Sequence, residues 1–170
     1  MSLVYQLMLC CGPMPTRHFR AGVGTVIYNE HNEIAIFKRS QPPVGAWELQ
    51  QGGIDLEETP EETLWRELHE EIGLLRDDIE MVTSMPGWTL YQSPRSLEDT
   101  TIPMLGQAHR WFFLKLKTDK EINLSDALQD EASEFRWTNF EELLSLAGDH
   151  KKHVYEEVHR HFLAHIAPKK

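Results

Sequence analysis

Three carboxylates, Glu67, Glu70 and Glu71, stand at spacing i, i+3 and i+4. On an α-helix that spacing puts them on one face. Like charges held so close repel one another, and a bound cation is the natural remedy. Hard divalent ions such as Mg²⁺ take oxygen ligands, commonly one or two carboxylates together with substrate phosphates. The residue types therefore point to a magnesium site, with Mn²⁺ as a substitute, that waits for a phosphate ligand.

The helix that carries them is well specified. Thr59 suits the N-cap, Pro60 the first helical position, and Glu62 completes a Thr-x-x-Glu capping box. Glu61 and Glu62 sit at the positive end of the helix dipole. Gly73 supplies the stop. Leu64, Leu68 and Ile72 recur every four residues as a stripe to bury, and Glu67 and Glu71 run along the neighbouring stripe. An acidic helix face on its own is usually just solvated, so the wider segment has to decide.

From Gly52 to Leu74 the chain reads GGIDLEETPEETLWRELHEEIGL. This resembles the Nudix box, Gly-x5-Glu-x7-Arg-Glu-U-x-Glu-Glu-x-Gly-U with U aliphatic. The matching positions are Gly52, Glu58, Arg66, Glu67, Leu68, Glu70, Glu71, Gly73 and Leu74, with no gap. On that resemblance the chain is identified as a member of the Nudix hydrolases. It implies that the Gly52 carbonyl adds a metal ligand and that Glu58 and Arg66 form an internal, structural ion pair.

The 170 residues are enough for one domain with a real core. Residues 1–18 read as an N-terminal extension, non-native or flexible, and 19–170 as a single Nudix domain. Within the extension, residues 1–15 are either a non-catalytic addition or an upstream tract, with translation starting at Met14. The apolar run from Met1 to Cys11 is too short to span a bilayer and lacks the basic start of a signal peptide. Cys10 and Cys11 are the only cysteines. Adjacent cysteines rarely pair, so no disulfide framework is expected, which fits a reducing cytoplasm. A formal charge of −10 argues against a broad surface for duplex DNA, though not against a local pocket for one phosphorylated end.

Strands are expected over Val23–Tyr28 and Ile34–Phe37, joined by the polar Asn29–Glu33 turn, then over Trp47–Gln51 leading into a Gly52-Gly53 turn. Further strands are expected at Ile79–Ser84, Trp88–Tyr91, His109–Lys117 and Phe135–Thr138. Trp111, Phe113, Leu114 and Leu116 are expected in the core. Helices are expected over Pro60–Ile72, Phe140–Leu146 and Lys151–Ile166. Strands and helices mix without strict alternation, so the fold class is α/β. The resemblance implies the same: a Nudix-type α/β/α sandwich with a central mixed β-sheet.

Outside the box the chain is similar to the bacterial RNA pyrophosphohydrolases, also called (di)nucleoside polyphosphate hydrolases, from about Phe19 to Ile166. Phe19-Arg20-Ala21-Gly22-Val23-Gly24 resembles Tyr-Arg-Pro-x-Val-Gly. Trp47–Asp55, WELQQGGID, resembles Trp-Gln-x-Pro-Gln-Gly-Gly-Ile-Asp/Asn. Gly106-Gln107 followed by Arg110-Trp111-Phe112 resembles Gly-Gln-x-x-Lys-Trp-Phe, and Glu121-Ile122-Asn123 the family's Glu-Ile-Asn. Glu131, Arg136 and Trp137 fit its Glu-Phe-x-x-Trp-Arg-Trp, and Lys151–Val158 its Phe-Lys-Arg-x-Val-Tyr, with His150 in place of Phe. Gln50 and Ala21 stand where that family has proline. The Gln41–Ala46 loop, with Pro42-Pro43, is about two residues longer and is expected to border the pocket.

The implied reaction is attack of water on one phosphorus of a polyphosphate chain. Glu67, Glu70 and Glu71 would hold the cation. Glu131 is the candidate for a further ligand or the base, and Glu134, in the same polar stretch, is its alternative. Arg20, Arg39 and Lys151 are candidates for phosphate contacts, by resemblance and by charge. Tyr91 is a candidate to stack on a base. His109 is expected to face solvent, and the histidines of the last helix form no zinc spacing. The implied function is a Mg-dependent pyrophosphohydrolase of nucleoside polyphosphates, namely triphosphorylated RNA 5′ ends or diadenosine polyphosphates. Nucleotide sugars or nucleoside triphosphates are an alternative substrate class. A non-catalytic nucleotide-binding regulator is an alternative of another kind, disfavoured by the intact box glutamates. No membrane partner is expected, and monomer and homodimer stay open.

Overall fold

The stretch from Gly22 to Tyr28 is apolar or small at almost every position, as expected of a strand covered on both faces. The computed structural model describes residues 16–99 and 101–167. In it β1 (His18–Tyr28) lies at the centre of an eight-stranded sheet. Its long partner is β7 (Met104–Leu116), parallel to it from His18 opposite Met104 to Tyr28 opposite Lys115. Cys10, Cys11, Met14 and the rest of residues 1–15 fall outside the described residues.

The other pairings are antiparallel, which makes the sheet mixed. β2 (Ile34–Arg39) turns back at Asn29–Glu33 and touches β1 where Tyr28 faces Ile34. It then pairs along its length with β8 (Ala132–Thr138) and briefly with β3 (Trp47–Glu48). β4 (Gln51–Gly53) pairs with β1, and β5 (Ile79–Ser84) and β6 (Thr89–Gln92) pair with β7.

The expected single strand over Trp47–Gln51 is in fact two. After Glu48 the chain leaves the edge of β2, buries Leu49 and Gln50 in crossing, and rejoins the sheet against β1. The Thr25 amide donates to the Gln50 carbonyl at 2.9 Å during the crossing. Gly52 and Gly53 therefore lie in a strand and not in a turn. Several strands also run further than local sequence marks, because pairing with a distant strand and not composition sets where they end.

Helices cover both faces. α1 (Pro60–Ile72) presses Leu64, Leu68 and Ile72 onto Val23, Ile27, Phe112 and Leu114. On the opposite face α3 (Phe140–Leu146) and α4 (Asp149–His165) pack Leu143, Val158 and Phe162 onto Val26, Ile36, Trp111 and Phe113. The short α2 (Pro94–Glu98) joins β6 to β7. The side-chain period of two on β7 sends Trp111 and Phe113 to one layer and Phe112, Leu114 and Leu116 to the other, so the expected core residues hold and Phe112 joins them. None of the described helices is long and apolar enough to cross a membrane.

The layers meet the sheet at close range near β1. A Cβ added at Gly24 would fall 2.4 Å from the Trp111 ring. That indole is fixed in turn by its Nε1–H donating to the Thr89 hydroxyl at 2.8 Å. A Gly24→Ala substitution should therefore destabilise the protein by about 1–3 kcal/mol through overpacking. Urea unfolding followed by tryptophan fluorescence measures it, and an unchanged midpoint would show that Trp111 can give way.

Candidate active site

The start of α1 is built as its sequence dictates. Thr59 caps the helix and Glu62 bonds back to the Thr59 amide at 2.8 Å. Gly73 ends it in the left-handed conformation at φ 72°. Between these ends, Glu67, Glu70 and Glu71 turn away from the solvent side toward β4 and the loop before the helix. Gly52 makes this approach feasible, since a Cβ there would lie 2.1 Å from the Glu67 Cγ.

One guanidinium organises the acids. Arg66 donates to both Glu58 oxygens, at 2.7 and 2.8 Å, which is the expected brace between loop and helix. It also reaches Glu67 at 2.9 Å, Glu70 at 3.2 Å and the Gly53 carbonyl at 3.0 Å. Arg66 therefore does more than pair with Glu58, because it also neutralises two of the expected metal ligands. The bond from Arg66 is the main cause that holds the Glu58 carboxyl down at about 2. Burial pushes the Glu67 carboxyl up against the pull of Arg66.

Among the described residues Glu71 accepts no arginine bond, and its carboxylate takes one hydrogen bond, from Gln50 Nε2 at 3.0 Å. Burial, reinforced by Glu67, Glu131 and Glu48, pushes its carboxyl up to about 8.

A polar cavity of about 560 Å³ collects nearly every residue singled out by sequence: Gly52, Glu67, Glu70, Glu71 and Glu131 on the acidic side, with Arg20, Arg39 and Lys151 bringing positive charge. The Arg20 side chain lies against Gly53, where a Cβ would come 2.0 Å from its Nη2. Glu131 makes no ion pair among the described residues. Its alternative, Glu134, sits in β8 and not in a loop, bonds Lys38 at 2.7 Å, and is not part of the cavity.

Arg39 and Lys151 both line the cavity and both bond the half-hidden Glu48, Arg39 at 2.7 Å. Burial raises the Glu48 carboxyl, but Lys151 and Arg39 outweigh that and hold it low. Two expectations, those for Tyr91 and His109, need correction. Tyr91 lines the cavity, yet it is 7% exposed and flanked by His109, His150 and the Lys151 ammonium, so it offers no open face for a base. His109 does not face solvent. It is 2% exposed, its Nδ1 has no partner among the described residues, and burial, with Lys151 and Arg20 nearby, pushes it down to about 3, so it is neutral. Its period-two relation to Trp111 on β7 was the sequence signal for this burial.

A second cavity of about 460 Å³ adjoins the first and shares Arg39, Tyr91, Gln107 and Lys151 with it. Pro42, Pro43 and Trp47 form part of its wall, so the long loop borders the pocket as expected.

The donor set suits a hard divalent cation, with the carboxylates of Asp55, Glu67, Glu70, Glu71 and Glu131 and the Gly52 backbone lining one polar cavity, and with Glu71 raised by burial and by the acids near it. Among the described residues no three His, Cys, Asp or Glu side chains already converge as a finished cage. The Arg66 bonds to Glu67 and Glu70 account for this, because they direct those oxygens to the guanidinium.

A family model described as "NUDIX domain" matches residues 18–163. The RNA pyrophosphohydrolase of Pseudoalteromonas translucida is 37% identical over 153 residues, 88% of this chain and 88% of that protein. The E. coli dihydroneopterin triphosphate pyrophosphohydrolase structure is similar at a TM-score of 0.64 with 15% identity, over 85% of this chain and 99% of that one. A C. elegans Ap4A hydrolase in a binary complex is similar at a TM-score of 0.61 with 18% identity, over 84% of this chain and 98% of that one. At such identities the two structures speak for the fold alone.

The charge pattern sets a pH dependence for the metal-free protein. An ordinary glutamate titrates at 4.5, and Glu71 in the fold at about 8. Above pH 4.5 the unfolded chain releases this proton while the fold retains it. Stability is therefore full below that pH, falls as pH rises, and the loss is complete above about pH 8. With chelator present, Glu71→Gln should raise the melting temperature at pH 8.5 by about 4 °C or more, and leave it nearly unchanged at pH 4.5. Equal melting curves at both pH values would refute the raised Glu71. Separately, Glu58→Gln should lower stability by about 1–3 kcal/mol, the pair being partly exposed, as read by chemical unfolding.

Proposed function

The chain belongs to the NUDIX family and is a hydrolase of pyrophosphate bonds, and we propose that it removes pyrophosphate from triphosphorylated RNA 5′ ends with Mg²⁺ as its ion. The observation that carries this is the one cavity where Glu67, Glu70, Glu71 and Glu131 meet Arg20, Arg39 and Lys151. Such a site matches a polyphosphate chain, which needs cations for its oxygens and a base for the attacking water. The 37% identity to an RNA pyrophosphohydrolase over most of both chains supports the substrate. The adjoining cavity gives a nucleoside room beside the phosphates.

Glu67, Glu70 and Glu71 hold the ion, joined by the Gly52 carbonyl. When bound, Mg²⁺ supplies counter-charge to phosphate oxygens and acidifies water. Arg20 offers an exposed guanidinium to the chain of phosphates. Arg39 and Lys151 are held ready by Glu48, and phosphate oxygens compete with that carboxylate for their N–H groups. Glu131, without an ion pair, accepts the proton of the attacking water. Neutral His109 adds no repulsion to a cation and no charge to the anion. Diadenosine polyphosphates present the same phosphate chain and fit the same reading of the cavity.

A panel of triphosphorylated RNA, diadenosine polyphosphates, ADP-sugars and dNTPs, each with Mg²⁺, tests this. RNA is expected to be cleaved best with release of pyrophosphate, and cleavage of ADP-sugars alone would transfer the chain to the other substrate class. Glu71→Gln should abolish turnover while circular dichroism stays unchanged. Glu131→Gln should lower kcat by about 10²–10⁴-fold as loss of a general base. An unaltered kcat would remove Glu131 from that role.

A further inference from the structure

Gln50 occupies a position where the resembled family carries proline, a residue with no side-chain donor or acceptor. Here the side chain is used at both ends. The Thr25 hydroxyl donates to Gln50 Oε1 at 2.8 Å, and Gln50 Nε2 donates to Glu71 Oε2 at 3.0 Å. When Glu71 is ionised, as a metal ligand must be, its oxygen can only accept, so the amide nitrogen faces Glu71 and the amide oxygen takes the Thr25 hydroxyl. Gln50 is 4% exposed and Thr25 1%. The Gln50 carbonyl is bonded to the Thr25 amide as well, so the residue is fastened to β1 by main chain and side chain together.

Glu71 depends on this contact more than its neighbours depend on theirs. Glu67 and Glu70 are each bonded by Arg66, and Glu70 also accepts from Gln129 at 3.0 Å. Among the described residues Glu71 has no ion pair, and Gln50 is its only hydrogen-bond donor. Without it, the buried carboxylate would keep its place on α1 but lose the contact that sets its rotation.

We propose that Gln50 is a positioning residue for the metal site, holding Glu71 from the β1 side so that Oε2 is engaged and Oε1 is presented to the cation. Thr25 locks Gln50 in turn. This rests on the reading of Glu71 as a ligand. Partners that orient a ligating carboxylate matter through the ligand, and their loss typically weakens metal binding by about 10–100-fold.

Mn²⁺ binding to the whole protein without substrate, measured from the free-ion EPR signal, tests the role apart from turnover. Gln50→Leu should weaken Mn²⁺ by about tenfold, and kcat should fall with KM little changed. In a Glu71→Gln background, Gln50→Leu should add less than about twofold, because the contact it removes acts only through the carboxylate. Gln50→Leu leaves the Thr25 hydroxyl buried and unpaired, so Thr25→Val with Gln50→Leu, which removes both partners, guards against simple misfolding. That pair should show the same loss of Mn²⁺ with a normal melting temperature. Wild-type Mn²⁺ affinity in both variants would overturn the role of Gln50, as would an equal loss with and without the Glu71 carboxylate. Wild-type affinity in Glu71→Gln alone would overturn the ligand reading, and the positioning role with it.

Discussion

Mutual repulsion among carboxylates is the constraint that shapes this molecule. Asp55, Glu58, Glu67 and Glu70 all lie within 4 Å of the Arg66 guanidinium, from 2.7 Å for Glu58 to 3.8 Å for Asp55. No other cation is bonded to them among the described residues. The helix cap, the loop that carries Glu58 and the bare Gly52 backbone can be understood as ways of bringing these groups to one guanidinium. Glu71 is outside its reach, and so it is the group that depends on burial, an amide and an arriving ion.

Across the cavity the balance is reversed but not undone. Glu48 engages both Arg39 and Lys151, so the cations that would meet phosphates are already partly satisfied. An anion gains their bonds only by competing with Glu48. The basic half is thus close to balanced by Glu48, whereas on the acidic half one guanidinium serves four carboxylates and the excess negative charge is left for an arriving cation. His109, held neutral by burial and further by Lys151 and Arg20, adds no charge to the basic half.

The parts legible in sequence are those fixed by neighbours along the chain. α1 begins and ends where Thr59, Glu62 and Gly73 place it, because caps are local chemistry. The acid spacing on that helix was equally local, and the cavity gathers those residues as expected. Strand limits were less legible: the break between β3 and β4 follows from a change of partner strand, which no run of composition at Trp47–Gln51 reveals. Gln50 was visible only as a departure from the family pattern and Glu48 carried no signal of its own, and the meaning of both lay in residues far away, Thr25 and Lys151. His109 was misplaced although Trp111, two residues on, had been placed in the core. The alternation of a strand carries the same sidedness to both.

The parallel pairing of β1 with β7 has a bearing on how the chain is made. Residues joined in that pair, such as His18 and Met104, are separated by most of the first two-thirds of the sequence, and the whole acidic helix lies in the loop between them. A ribosome therefore releases α1 well before the strand that completes the sheet behind it. Closing so long a loop is slow compared with winding a helix. The nascent chain accordingly presents its carboxylates without a rigid backing, and competence for an ion arrives late, when the strand of Trp111 docks and the sheet closes.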